Sequence, residues 1–245
     1  MPIAATDLIA YGSASRPSDD TSTTGGAIDT ADRPDFTQLT ANAVIAVVSD
    51  GADTRTVTVE GRNAAGAIDT EALVLNGATE VVGAKTFERI LTLTLSATSG
   101  TRTVTVKQGS GGATRATIGI NETSRTAFFR RSASEAGITI RYEKLFWKNA
   151  HATLTLNSAS LKLTADPDAR IRMGGAPSVN DTATVTNRKT APASVTFVDD
   201  NVAQGVAGGV LAAADRIGTW IEANLPASDA AHRTTFTTEL SGTSV

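Results

Sequence analysis

Strict alternation of apolar and polar residues is the feature that most constrains this 245-residue chain. Residues 91–95 read Leu-Thr-Leu-Thr-Leu, and residues 101–106 read Thr-Arg-Thr-Val-Thr-Val. A period of two places the apolar side chains on one face of a strand and the threonines on the other. We expect residues 91–106 to form a β-hairpin whose turn contains Gly100. The pattern predicts half-buried strands in an all-β protein.

The hexapeptide Thr-Arg-Thr-Val-Thr-Val occurs twice, at 54–59 and at 101–106. Each copy is followed by a polar loop that contains glycine. Two copies are too few for a solenoid, in which at least three stacked repeats are needed for stability. The duplication therefore indicates either a repeated hairpin or the two halves of one sandwich.

Composition and turn signals predict three parts in the chain: residues 1–35, residues 36–131 and residues 132–245. Alternating segments recur in the second and third parts, separated by clusters of Gly, Asn and Asp. We predict an all-β fold of one or two antiparallel β-sandwich domains with an extended N-terminal arm. The segment 202–218 departs from the pattern, and either a loop or a single short helix is expected there.

The segment 1–35 is rich in Pro, Gly, Ser, Thr and Asp and shows no periodicity. A segment of this composition cannot bury enough apolar surface to order itself. It is expected to be either a flexible terminus or an arm that becomes ordered on a partner subunit. In the second case the contacts are predicted at Leu8, Ile9, Tyr11 and Arg16.

The composition argues against several classes of protein. The chain has no cysteine, so disulfides, a thiolate nucleophile and cysteine-ligated zinc are excluded. A formal net charge of −3 does not favour binding to nucleic acid or to an anionic membrane. The chain lacks any run of about 18 apolar residues that could span a membrane, and its first residues lack the basic region of a signal peptide.

The sequence offers few candidates for catalysis or cofactor binding. His151 and His232 have no triad-like arrangement of serine and carboxylate nearby. The glycine-rich segment 108–114 lacks the Gly-Lys-Ser/Thr ending of a P-loop and is expected to be a hairpin loop. The acidic pairs at 19–20 and 199–200 do not have EF-hand spacing. We therefore expect no catalytic residue, no metal and no cofactor.

Positive charges and aromatic rings occur together between residues 125 and 141, a mixture that protein interfaces favour. The cluster comprises Arg125, Phe128, Phe129, Arg130, Arg131 and Arg141. One interpretation is a partner-binding patch centred on Phe128, Phe129, Arg130 and Arg131. The other is a solvated strand edge on which the charges block unwanted pairing.

Three phrases resemble structural proteins of tailed-bacteriophage virions. They are DLIAYGSASRPSDDTSTTGGAID at 7–29, RYEKLFWKNAHATLTLNSASLKLTADP at 141–167 and IGTWIEANLPASDAAHRTTFTTELSG at 217–242. The resemblance implies β-sandwich architecture, assembly in the bacterial host cytoplasm and self-association into a symmetric oligomer. It carries no functional residues across, because these proteins are not defined by a site.

On this resemblance, our first hypothesis is a capsid decoration, or cement, protein of the virion. It would bind the major capsid protein on the outer face of the head as a homotrimer, through residues 1–35 and the patch at 128–131. The second hypothesis is a tail or baseplate component. The third is a carbohydrate-binding module or glycan-degrading enzyme on the virion, which an aromatic-lined cleft with convergent carboxylates would favour.

Overall fold

The computed structural model describes residues 2–98, 100–133, 135–166, 169–228 and 234–244. Regular structure in these ranges is almost entirely β-strand, which confirms the predicted all-β fold. Two short 3₁₀ turns, at Ala5–Asp7 and Ala207–Gly209, interrupt it. The second turn lies in the segment 202–218, where a loop or a single short helix was expected.

The strands are numbered here in chain order. The N-terminal strands are β1 (Leu8–Ser15) and β2 (Thr24–Asp29). The central strands are β3 (Asp32–Arg33), β4 (Ala43–Ser49), β5 (Thr56–Arg62), β6 (Ile68–Val74), β7 (Val81–Phe87), β8 (Arg89–Leu95), β9 (Val104–Gln108), β10 (Thr114–Ile118) and β11 (Ser124–Thr126). The C-terminal strands are β12 (Thr139–Asn149), β13 (Leu156–Ala165), β14 (Ile171–Val179), β15 (Thr184–Val185), β16 (Gln204–Gly205), β17 (Val210–Leu211), β18 (Arg216–Leu225) and β19 (Thr237–Thr243).

The chain folds into two compact units. Unit 1 combines residues 1–29 with residues 131–245, and unit 2 consists of residues 30–130. Unit 2 is therefore inserted in the sequence between β2 and β12. This division differs from the predicted one at the N-terminus, because residues 1–29 pack with the C-terminal part of the chain.

Unit 2 is a β-sandwich. One sheet has the strand order β10-β9-β4-β7 and the other β3-β11-β8-β5-β6, with β3 and β11 parallel and the remaining pairs antiparallel. Apolar side chains from both sheets form a common core, including Ile45 and Val106 from the first sheet and Val59 and Leu93 from the second. These four side chains have no exposed surface.

The two copies of the hexapeptide lie in opposite sheets of unit 2. The valines of the first copy are in β5 and those of the second are in β9, and all of them are fully buried. The predicted hairpin over residues 91–106 is wrong, because both edges of β8 are occupied by β5 and β11. Strand β9 instead pairs with β4 and β10, so β8 and β9 lie in opposite sheets that share one core. The duplication therefore marks the two halves of one sandwich.

Unit 1 contains a six-stranded sheet with the order β14-β18-β12-β1-β2-β15 and a smaller sheet in which β13 pairs with β16, β17 and β19. The smaller sheet packs on one face of the larger one: the Trp147 ring N–H donates to Thr238 Oγ1 at 3.3 Å, and Asn149 Nδ2 donates to the Leu211 carbonyl at 3.0 Å. An apolar cluster that contains Tyr142 and Trp220 lies elsewhere in the unit.

The N-terminal segment that was predicted to be an extended arm is built into this six-stranded sheet. Strand β1 lies between β12 and β2, with Leu8 opposite Asn149 and Gly12 opposite Leu145. Leu8, Ile9 and Tyr11 are half-buried in this arrangement. The arm prediction is therefore corrected for β1 and β2, whose backbones pair within unit 1.

Candidate functional site

The predicted aromatic and basic patch is divided between the two units. Phe128, Phe129 and Arg130 end unit 2, and Arg131 begins the C-terminal part of unit 1. The rings of Phe128 and Phe129 have centroids 6.1 Å apart and are tilted by 47°. Arg130 Nη1 donates a hydrogen bond to Thr92 Oγ1 at 3.2 Å. Phe128, Phe129 and Arg130 are half-buried, and Arg131 is exposed.

The backbone of this patch turns and does not continue as a strand. Strand β11 ends at Thr126, and residues 128–131 form turns. Phe129 and Arg131 have φ angles of 50° and 57°, in the left-handed region that bulky residues rarely adopt. Such conformations persist where the surrounding structure enforces them.

Two arginines of the predicted patch are buried and paired. Arg125 is 3% exposed and donates from Nη2 to Glu122 Oε2 at 2.6 Å. Arg141 is 1% exposed and is held by carboxylates of unit 1. Both arginines are structural groups and not solvated edge charges, because each is enclosed with its counter-ions.

The most concentrated group of charges lies inside unit 1, and we call it the Asp20 cluster. Its members are Arg16, Asp20, Glu135, Arg141, Glu143, Arg188 and Lys189. Arg141 donates to Asp20 from Nε at 3.0 Å and from Nη2 at 2.7 Å, and Arg188 donates to the same carboxylate from Nε at 3.0 Å and from Nη2 at 2.7 Å. One carboxylate therefore holds two guanidinium groups.

The electrostatics of Asp20 follow from this arrangement. Burial raises the pKa of its carboxyl, but the hydrogen bonds and positive charges of Arg141 and Arg188 more than offset that effect and bring the pKa down to about 2. Arg188 also donates to Glu143 Oε1 at 3.2 Å. The cluster attaches the loop between β1 and β2 to strand β12 and to the segment after β15.

Arg16, which was predicted to contact a partner, belongs to this cluster. It is 7% exposed, and its Nη2 lies 3.9 Å from Glu143 Oε2. Its guanidinium lies beside a carboxylate inside unit 1, and its contact with a partner stays a prediction. Local pattern could not reveal this pairing, since Arg16 and Glu143 are far apart in the chain.

Unit 2 presents two uncharged rows of side chains to solvent, one on β6 and one on β7, which are edge strands of opposite sheets. We call the two rows together the β6–β7 face. It is formed by Ile68, Thr70, Ala72 and Val74 of β6 and by Val82, Ala84 and Thr86 of β7, all exposed. Ile68, Val74 and Val82 are 37%, 59% and 45% exposed, respectively. The alternation that buries Leu73 in the core turns its neighbours Ala72 and Val74 outward.

The free backbone edge beside this face is covered by a side chain. Strands β6 and β7 end their respective sheets, and Glu71 Oε1 accepts hydrogen bonds from the backbone N–H groups of Ala84 at 2.6 Å and Lys85 at 3.2 Å. Lys85 in turn pairs with Asp69. Because these groups occupy donors that an added strand would use, the side-chain face is better suited to docking than the edge.

The other candidate residues have local structural roles. His151 Nδ1 accepts hydrogen bonds from the backbone N–H groups of Thr153 and Leu154, while His232 lies outside the described residues. The glycine-rich segment 108–114 connects the antiparallel neighbours β9 and β10, which confirms the predicted hairpin loop. Asp19 accepts hydrogen bonds from Thr21 and Ser22 of its own turn.

Metal ligation, membrane spanning and likeness to known proteins give no assignment for this chain. Within the ranges that the structure describes, no group of three or more His, Asp or Glu side chains is placed to hold a metal ion. No helix in those same ranges is long and apolar enough to cross a membrane. No protein-family model, no curated protein and no solved structure matches the chain.

Proposed function

We propose that this chain is a structural protein of a tailed-bacteriophage virion, and more specifically a capsid decoration protein. The proposal rests on the three phrases at 7–29, 141–167 and 217–242, together with an all-β fold that contains a complete sandwich unit. The proposed partners are the major capsid protein and further copies of this chain in a homotrimer. The protein has no enzymatic role in this proposal.

The observation that carries the docking function is the β6–β7 face. Exposed large apolar side chains concentrated on one part of a surface are candidates for an interaction site. The large apolar members of this face are Ile68, Val74 and Val82, and Ala72 and Ala84 are exposed in the same two strands. A surface depleted of charge loses little on desolvation, which favours contact with the capsid lattice.

The residues predicted from the sequence supply a second, weaker set of contacts in this proposal. Leu8, Ile9 and Tyr11 of β1 and the Phe128–Phe129 pair keep part of their surface exposed. Many modest contacts repeated over a symmetric lattice give strong overall attachment without any single tight site.

Immunogold labelling of intact particles with an antibody against this chain tests the proposal. Gold distributed over the heads supports decoration of the capsid. Gold on the tail or its tip overturns the head assignment in favour of the tail or baseplate. Absence of label, together with absence of the chain from the denatured proteins of the particle, overturns the virion assignment altogether.

A binding experiment tests the β6–β7 face directly. We expect the double variant Val74→Glu, Val82→Glu to lose affinity for heads that lack this protein by at least about tenfold, since two charges would be desolvated on docking. The matched control is Ile138→Glu, which changes an apolar side chain that is 73% exposed in unit 1. Equal co-sedimentation of the double variant and the wild type would remove the face from the proposal.

A further inference from the structure

A lysine and an aspartate meet in the interior of unit 1. Lys144 lies in β12 with no exposed surface, and Asp181 lies between β14 and β15 with a side chain that is 10% exposed. Lys144 Nζ donates a hydrogen bond to Asp181 Oδ2. It also lies 3.2 Å from the carbonyl oxygens of Gly26 and Ala183, which accept its other hydrogens.

The surroundings of this pair exclude water. Lys144 Nζ lies 4.7 Å from the ring centroid of Phe146 and 5.5 Å from that of Trp220. Gly218 provides the space for the lysine stem, because a Cβ at that position would lie 2.6 Å from Lys144 Cε and 3.3 Å from Asp181 Oδ2. The pair is thus enclosed between aromatic rings and a position that requires glycine.

Enclosure acts on the protonation of the lysine. Burial lowers the pKa of Lys144, while its hydrogen bond to Asp181 acts in the opposite direction. Transfer of one proton along that hydrogen bond gives a neutral amine and a neutral carboxylic acid, the two species from which an amide can form. A desolvated neutral lysine is a good nucleophile.

We propose that Lys144 and Asp181 react with each other to form an intramolecular isopeptide bond that links β12 to the segment before β15. The lone pair of Nζ attacks Cγ of the protonated Asp181 carboxyl group, and the C–O bond to the hydroxyl breaks. That hydroxyl leaves as water with one proton from Nζ, so the new amide keeps a single N–H. The reaction needs no oxidant, reductant or co-reactant.

Neighbouring backbone groups are placed to assist each stage. The N–H of Ala183 donates to Asp181 Oδ1 at 3.0 Å, where negative charge develops in the tetrahedral intermediate. With the carbonyl oxygens of Gly26 and Ala183 holding two amine hydrogens, the third position on Nζ faces the aspartate. After reaction, the remaining amide N–H can donate to one of those carbonyls.

The chain contains its own control for this chemistry. Lys85 and Asp69 form a hydrogen-bonded pair of the same residue types in unit 2. Their side chains are 45% and 31% exposed, so both groups are in contact with water. The pair at Lys144 and Asp181 is expected to react, and the pair at Lys85 and Asp69 is not.

Mass spectrometry of the purified, denatured full-length chain tests the proposal. We expect an intact mass one water molecule below the sequence mass, after allowance for loss of Met1. Trypsin should release a branched peptide that joins residues 142–148 to residues 173–188, and no cross-linked peptide that contains Lys85. A wild-type mass equal to the sequence mass after prolonged incubation at neutral pH would show an ordinary ion pair and overturn the proposal.

Two variants complete the experiment. Lys144→Arg keeps the positive charge but not the nucleophilic amine, and Asp181→Ala removes the electrophile. Both should have their full sequence masses, and the wild type should melt roughly 10 °C above Lys144→Arg if the cross-link forms. The wild-type mass is decisive even if a variant fails to fold, and the result does not depend on whether the chain belongs to a virion.

Discussion

At the residue scale, the Asp20 carboxylate joins parts of unit 1 that are distant in sequence. It accepts hydrogen bonds from Arg141 of β12 and from Arg188, which follows β15. Both arginines are 1% exposed. A guanidinium cannot lose its charge in a protein, so loss of the shared carboxylate would leave two buried positive charges with less compensation.

We expect Asp20→Asn to lower the free energy of unfolding by about 2 to 3 kcal/mol, which is less than for a fully enclosed pair because the Asp20 side chain is 23% exposed. Urea unfolding followed by circular dichroism measures the change. The matched control is Asp19→Asn, which alters the neighbouring carboxylate and leaves both arginines paired. Equal losses in the two variants would contradict the role given to Asp20.

The same carboxylate predicts a dependence of stability on pH. Its pKa is lowered from 3.8 to about 2 in the folded chain, so the folded state binds this proton less readily than the unfolded state. The stabilisation is therefore complete above pH 3.8 and is lost as the pH falls towards 2. We expect the melting temperature of the wild type to fall more steeply than that of Asp20→Asn across this window. If the melting temperatures of the two proteins fall in parallel with pH, the prediction is contradicted.

At the scale of elements, the pairing of β5 with β8 depends on a bulge. Glu60 lies opposite Thr92 but Gly61 lies opposite Ile90, so the register shifts by one residue. The shift brings Ile90 into the same apolar core as Leu93. The strands approach closely at this point, and only a small residue fits in β5.

We expect Gly61→Ala to destabilise unit 2 by about 1 to 3 kcal/mol, because overpacking forces the backbone to shift. The new Cβ would lie 2.5 Å from both the Arg89 carbonyl oxygen and Phe87 Cδ1. Gly100→Ala is the control, since no atom outside its chain neighbours lies within 4 Å of a Cβ there. Thermal melts of both variants measure the effect. If Gly61→Ala has the melting temperature of the wild type, the bulge relaxes to accept the new methyl group.

At the scale of the whole molecule, unit 2 is a complete sandwich carried as an insertion. Both of its sheets and its apolar core are formed by residues 30–130. The chain enters the unit along β3 and approaches its exit along the neighbouring strand β11, with Asp32 opposite Ser124. The two ends of the unit are thus on paired strands, an arrangement that suits domain insertion.

We expect a fragment of residues 30–130 to fold by itself with the β-sheet content of the intact unit. Circular dichroism and a dispersed amide NMR spectrum would detect the folded state, and unfolding by denaturant should be cooperative. Gly61→Ala in the fragment provides a check. It should lower the denaturant concentration at the midpoint of unfolding, as we expect it to destabilise unit 2 in the full chain. A fragment without cooperative unfolding would show that unit 2 depends on the rest of the protein.

The strand content of this protein and the buried side of several strands could be predicted from local sequence pattern. The period of two assigned Val57, Val59, Val104 and Val106 to the core, and the glycine-rich segment 108–114 was correctly assigned to a hairpin loop. Side-chain alternation is a local property of an extended backbone, so it can be recognised without knowledge of which strands are neighbours.

Which strands pair and which charged residues are buried became visible only in the folded chain. The hairpin expected between β8 and β9 does not form. Strand β8 pairs with β5 and β11, and β9 pairs with β4 and β10, because strands compete for edges across the whole unit. The Asp20 cluster joins residues separated by 121 and 168 positions, and Lys144 meets Asp181 only once β12 and the segment after β14 are packed together. Contacts of this kind depend on distances in space, which local composition and periodicity do not encode.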